Sequence, residues 1–406
     1  MRLLYLYTVF YLIFIIFIKD KSRKVVFVST LTIYMFSSVA AIHVYDAMYK
    51  GFPIMLNAVT YHIIMLFLLL YPLRKFDKYR YVRFPKDDDK KIKILSIIII
   101  VSSLLKILFD IQNVNLNVLL SDVQSLRQSL TEGSFRDSNT LIRYLKYFAG
   151  QYWSVALVLA FYYMRYYPQK KIYILLLLAS SLSVIVSGFV VAAREYLIKY
   201  LYVFLILTYW LAPSISHQWG RILKKFIVLL GTIFIVFFLV ITFLRFGESS
   251  SYNSPMDSML SYFGQGYIHF STFFAEFEDG LTQGAIRFPL FAGKHMSSFN
   301  LNEIFYTDAS LNAFPTTIGS WYFEVGYVWT IIITIIHYLL FTHIGNSPPT
   351  IFKLIYVIWI YEFIFSSIFF YNEVLNGSRV VSILFIIIFE KIPYNPYSVK
   401  VKKCNK

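Results

Sequence analysis

The stretch "ILSIIIIVSSLLKILF", residues 94–109, contains one charge, Lys106, in sixteen positions and no glycine or proline. A run of this composition avoids water, and a helix built from it is apolar on nearly every side, which suits a bilayer rather than an aqueous core. Similar runs recur along the chain, bounded by charged or turn-forming residues, at 3–18, 25–45, 54–73, 147–164, 172–191, 195–212, 226–244, 321–342, 354–371 and 379–391. The sequence therefore predicts an all-α, polytopic integral membrane protein with about 11 transmembrane helices. The 406 residues are 58% hydrophobic and only 15% charged, so no separate soluble domain is expected and residues 1–406 read as one integral domain.

The net charge of +16 does not point to nucleic acid, because the basic residues lie in short segments between apolar runs rather than along one soluble face. They alternate. Of the 38 Lys and Arg, 25 fall in one set of loops, at 19–24, 74–93, 165–171, 212–225, Lys353 and the tail from Lys391, while 12 fall in the opposite set. The positive-inside rule places the richer set in the cytoplasm, with the N-terminus outside and the C-terminus inside. The first run, preceded by Arg2, lacks a small-residue cleavage site and reads as an uncleaved span.

Two long segments then face outward. The first, 110–146, carries Leu119, Leu120, Val123, Leu126 and Leu130 at the spacing of an interfacial amphipathic helix. The second, 245–320, is the large outward loop. Met259, Phe263, Phe270, Phe274 and Phe277 in it keep a helical period, which Gly264 and Gly266 weaken.

The lone cysteine, Cys404, excludes a disulfide framework. No P-loop, dinucleotide fingerprint, His-Glu-x-x-His set or Gly-x-Ser-x-Gly elbow is present, so an ATPase, a zincin or a serine hydrolase has no support, and neither metal nor cofactor is expected. The chemistry-bearing residues gather on the outward side. Arg194, Arg245 and Arg379 each border a span at that boundary. A guanidinium fork binds phosphate oxygens in pairs, so such a cluster suits a lipid-linked diphosphate. The alternative is that each Arg snorkels to the interface or pairs with Glu195, Glu248 or Glu373. From the long loop and the following span, His295, Asp308 and Glu324 offer a base for a sugar hydroxyl, although Glu324 also suits an ion pair with Arg379 or a helix end.

The segment "NAFPTTIGSWYFEVG", residues 312–326, resembles a pattern of bacterial O-antigen polymerases, the Wzy-type oligosaccharide repeat unit polymerases. The residues that carry it are Asn312, Phe314, Gly319, Tyr322, Glu324 and Gly326, together with the Arg194 segment "SGFVVAAREYL". The resemblance implies a multi-spanning glycosyltransferase with one large periplasmic loop, placed in the bacterial inner membrane. It would join undecaprenyl-diphosphate-linked oligosaccharides among the membrane lipids, beside a chain-length regulator. Arg194, Arg245 and Arg379 would hold the diphosphate, His295, Asp308 or Glu324 would act in catalysis, and Asn312, Trp321 and Tyr322 would bind sugars. An O-antigen ligase shares the donor and the outward loop. A flippase or other transporter would instead need paired, interrupted spans and polar groups at the bilayer midplane.

Overall fold

The computed structural model describes residues 1–81, 89–112, 146, 148–190, 195–246, 255–276, 316–368 and 377–391. Among them all regular structure is helical. The elements are α1 (Tyr5–Ile16), α2 (Val25–Met48), α3 (Leu56–Leu70), α4 (Asp89–Gln112), α5 (Trp153–Tyr166), α6 (Lys171–Ser181), α7 (Ser183–Val190), α8 (Glu195–Leu211), α9 (His217–Phe246), α10 (Pro255–Glu276), α11 (Thr316–Asn346), α12 (Ile351–Ser366) and α13 (Gly377–Lys391). The apolar runs read from the sequence fall on helices where they are described, although 172–191 is divided between α6 and α7. Among the described residues six segments are long and apolar enough to cross a membrane: Val25–Met48, Leu56–Arg80, Lys90–Gln112, Lys171–Val190, Glu195–Ser214 and Thr316–Asn346.

The layering is that of a membrane bundle. On α5 every residue from Trp153 to Met164 is buried, and α12 is buried at all positions but Lys353 and Tyr356. These two pack against each other at the centre. At the periphery α1, α11 and α13 expose large apolar side chains, including Leu12, Ile16, Val328, Leu339, Leu384 and Ile388. Water would not tolerate so continuous an apolar surface, whereas lipid tails cover it without penalty.

A ten-residue 3-10 segment, Tyr71–Arg80, ties one end of the bundle together. Such runs rarely exceed a few residues because their hydrogen bonds are poorly aligned, so side chains must hold this one. The buried Asp77 carboxylate accepts hydrogen bonds from the backbone N–H groups of Val26 (3.3 Å) and Phe27 (3.1 Å), the orphan donors that open α2, and from Trp210 Nε1 (2.9 Å) at the end of α8. Next to it, Lys78 Nζ donates to the carbonyls of Gly345 and Ser347, both at 2.6 Å, where α11 ends. A carboxylate at a helix start and an ammonium at a helix end each match the sign of the local dipole. This end carries Arg74, Lys75, Lys78 and Arg80 and is called the basic face below.

Inside the segment expected as a long loop, α10 is a helix packed on α2, α3, α11 and α9. It runs through both glycines. Gly264 meets α2 so closely that an added Cβ would stand 2.3 Å from Ala41 N and 2.5 Å from Ala40 C. Ser37 Oγ donates to Phe263 O at 2.6 Å beside the same crossing. The sequence marks Gly264 as a weak point of a helix, while in the fold it is the contact that lets two helices approach, as small residues do between membrane helices.

Candidate functional site

The run 321–342, expected as one span, is two arms. α11 begins at Thr316 and is interrupted at Gly326, whose φ of 86° and ψ of 178° belong to no helix and suit only glycine. The long arm, 327–346, is about 30 Å long, enough for the hydrocarbon core. The short arm, 316–325, folds back on it: Trp321 lies on His337, with ring centroids 4.9 Å apart. Thr330 and Thr334, fully buried on the long arm, return their hydroxyls to the carbonyls four residues earlier, leaving a narrow surface on the arm's inner face. His337 does likewise through Nδ1, which donates to Ile333 O at 2.7 Å.

All nine residues from Thr316 to Glu324 are buried. The short arm therefore sits inside the protein, where its open helix end needs partners. Thr316 adopts a left-handed φ of 68°, and its Oγ1 accepts from Gly319 N at 3.3 Å while bonding His62 Nε2 at 3.0 Å. The other nitrogen of His62 bonds Tyr7 Oη at 2.9 Å, and the ring stacks on Phe270 at 4.3 Å. Thr317 N donates to Ser367 O at 3.2 Å. Tyr34 Oη meets Ser367 Oγ at 2.5 Å and donates to Ile364 O at 2.6 Å, fixing that end of α12.

Of the residues singled out in the sequence, this arm carries three. Tyr322 stacks on Phe274 of α10 at 4.9 Å, Trp321 lies between His337 and Phe363, and the Glu324 side chain is 1% exposed. None is at an open interface. A carboxylate taken out of water costs several kcal/mol unless its surroundings stabilise it, so Glu324 is an expensive residue to place there.

Arg379 is also buried rather than snorkelled. Its Nη2 donates to Glu362 Oε2 at 3.0 Å, and its guanidinium faces the Trp359 ring at 5.4 Å. Its ion-pair partner here is thus the span residue Glu362. One helix, α12, with its capping residue Ser367, joins the two halves of the site, offering Phe363 and the Ser367 carbonyl to the short arm and Glu362 and Trp359 to Arg379. Arg245 lies in α9, with its side chain outside the described ones. His295, Asp308, Asn312 and Arg194 lie outside the described residues, as does the 110–146 segment beyond Gln112 except Lys146. Glu195, considered as a partner for an outward Arg, pairs with Lys199.

Sequence reasoning missed several groups. His62 and His337 sit within apolar runs, where any ionisable residue is a functional candidate by default, and that signal could have found them. Lys106, read as a charge inside a span, belongs to a buried cluster. It meets Asp110 one turn on and Ser187 of α7, Ser187 Oγ donates to Asp110 at 2.9 Å, and Lys146 stands 3.7 Å from Asp110. No group of three metal-ligating side chains occurs among the described residues.

Together these features define an all-α membrane protein with a broken, buried helix beside an internal ion pair. Comparison with protein families, characterised proteins and solved structures finds no match to this chain.

Proposed function

We propose that the protein is a multi-spanning glycosyltransferase, an O-antigen or related surface-polysaccharide polymerase. It joins undecaprenyl-diphosphate-linked repeat units at the periplasmic face of a bacterial inner membrane. In this reading about 11 helices span the bilayer, the N-terminus is outside, and the basic face is cytoplasmic. The observation that carries it is the short arm of α11, on which Gly319, Tyr322 and Glu324 of the family-like pattern, with Trp321 beside them, fall together in a buried, irregular element. Backbone breaks at membrane depth persist where they are enclosed by protein or line a cavity.

The chemistry follows from the residue types. A sugar hydroxyl of the incoming unit attacks the anomeric carbon of the growing chain, the bond to the lipid diphosphate breaks, and the hydroxyl proton passes to a base, Glu324, His295 or Asp308. Arg379, with Arg194 and Arg245, balances the charge of the departing diphosphate. Trp321, Tyr322 and Asn312 hold sugar rings by stacking and hydrogen bonding. Neither metal nor nucleic acid has a role in this scheme, and a chain-length regulator is the protein partner it implies.

A transporter is the second reading, favoured by the break at Gly326 and by the Lys106–Asp110–Ser187 cluster, since carriers place interrupted helices and buried charges around their sites. A ligase remains the nearest enzymatic alternative. The deciding experiment is the surface-polysaccharide ladder of a deletion strain. Collapse to core plus a single repeat unit supports a polymerase, because flipping and ligation still deliver that unit. Complete loss of surface glycan with accumulation of lipid-linked material overturns the reading. Accumulation on the outer leaflet then indicates a ligase, and on the inner leaflet a flippase.

A further inference from the structure

A groove of about 350 Å³ runs between the long arm of α11, α12 and α13. Its walls are apolar, from Leu340, Phe341, Ile360, Phe363, Ile383 and Ile387. Its two ends differ in charge. At the far end Arg379 is neutralised by Glu362 at 3.0 Å. At the basic face the described lining residues include Lys353, Lys391, His343 and one carboxylate, Glu390. That carboxylate is shared: Tyr356 Oη donates to it at 3.1 Å, and Lys353 Nζ stands 3.7 Å away. Two ammonium groups against one carboxylate leave this end cationic. From Arg379 to Lys391 the groove follows α13 for about 18 Å, comparable with half of the roughly 30 Å hydrocarbon core.

We propose that this groove holds one anionic phospholipid from the leaflet at the basic face. An acyl chain lies along α13, and the phosphodiester sits beside Lys353, Lys391 and His343. The charge asymmetry selects the head position, because among the described residues the far end holds a neutral ion pair, Arg379 with Glu362. Basic pockets between membrane helices at a leaflet surface are the usual receptors for such headgroups. The lipid fills the gap between the last helix and the bundle. The assignment needs only a bilayer and stands apart from the polymerase reading.

The test is native mass spectrometry of the full-length protein in detergent, titrated with dioleoylphosphatidylglycerol or dioleoylphosphatidylcholine. One saturable phosphatidylglycerol adduct is expected, at least tenfold tighter than phosphatidylcholine. Lys353→Gln with Lys391→Gln should bring the two lipids to equal affinity, and Ile383→Trp should block both by filling the groove. If Ile383→Trp fails to fold, Leu340→Trp, at a half-exposed position, replaces it. Equal affinity in the wild type, or selectivity unchanged in the lysine variant, overturns the proposal. So does displacement by a polyprenyl diphosphate whose binding depends on Arg379 and not on Lys353, which assigns the groove to a transferred lipid instead.

Discussion

Trp321 and His337 are in ring contact at 4.9 Å although a straight helix would hold residues so spaced about 24 Å apart. The contact exists because the chain reverses at Gly326, and the whole candidate site depends on that reversal.

Replacing Gly326 tests this dependence directly. At φ 86° and ψ 178° any side chain is strained, at a cost of about 1–3 kcal/mol, and a β-branched one costs more. Gly326→Ala should lower the thermal unfolding midpoint of the purified protein, and Gly326→Val should lower it further. A midpoint unchanged in both variants would mean that the reversal is not required for the fold.

Arg379 and Glu362 form a buried pair, so truncating one leaves the other charged and enclosed. Arg379→Ala should destabilise by about 3–5 kcal/mol, and adding Glu362→Gln should recover much of it. Chain extension separates structure from chemistry. If Arg379 also holds the diphosphate, the stable double variant stays inactive, and Arg379→Lys restores activity only in part because it lacks the bidentate fork. Normal glycan length in the double variant would remove Arg379 from the reaction.

Glu324→Gln keeps the size of a fully buried side chain and removes its charge. Under the proposed chemistry, glycan length collapses while the protein still inserts and melts no lower than the wild type. Full-length glycan from this variant would transfer the base role to His295 or Asp308.

At the α2–α10 crossing, Gly264→Ala places a methyl group where Ala41 backbone already stands, and Gly264→Leu adds more. Overpacking of this kind costs about 1–3 kcal/mol or more. Both variants should melt earlier in order of side-chain size, and a flat series would show that the two helices separate without penalty.

Removing the Asp77 carboxylate abolishes three hydrogen bonds to a buried charge and leaves two α2 donors open. Asp77→Ala should cost on the order of 3 kcal/mol, read as reduced resistance to urea or heat in detergent.

The helical class and most of the apolar runs were legible in the sequence, because composition records contact with lipid directly. The reversal at Gly326 was not. "GYVWTIIITIIHYLL" continues the apolar pattern without a gap, and hydropathy carries no information about one φ angle. Glu324 and its aromatic neighbours stood out in the sequence, but their burial did not, since it depends on how the short arm packs against the long one. Likewise Glu362 and Arg379 were each visible as costly charges. Their pairing crosses a helix-to-helix connection that spacing alone does not resolve.

Asp77 and Lys78 also bear on how the chain is assembled during synthesis. The opening of α2 lacks its carboxylate until translation has proceeded about 50 residues further, and Lys78 waits some 270 residues for its carbonyls. Two adjacent side chains thus close an early and a late step of biogenesis. A nascent chain arrested before residue 345 would retain a finished α2 and a vacant ammonium at the basic face, a chemical mark of incompleteness that the mature protein no longer displays.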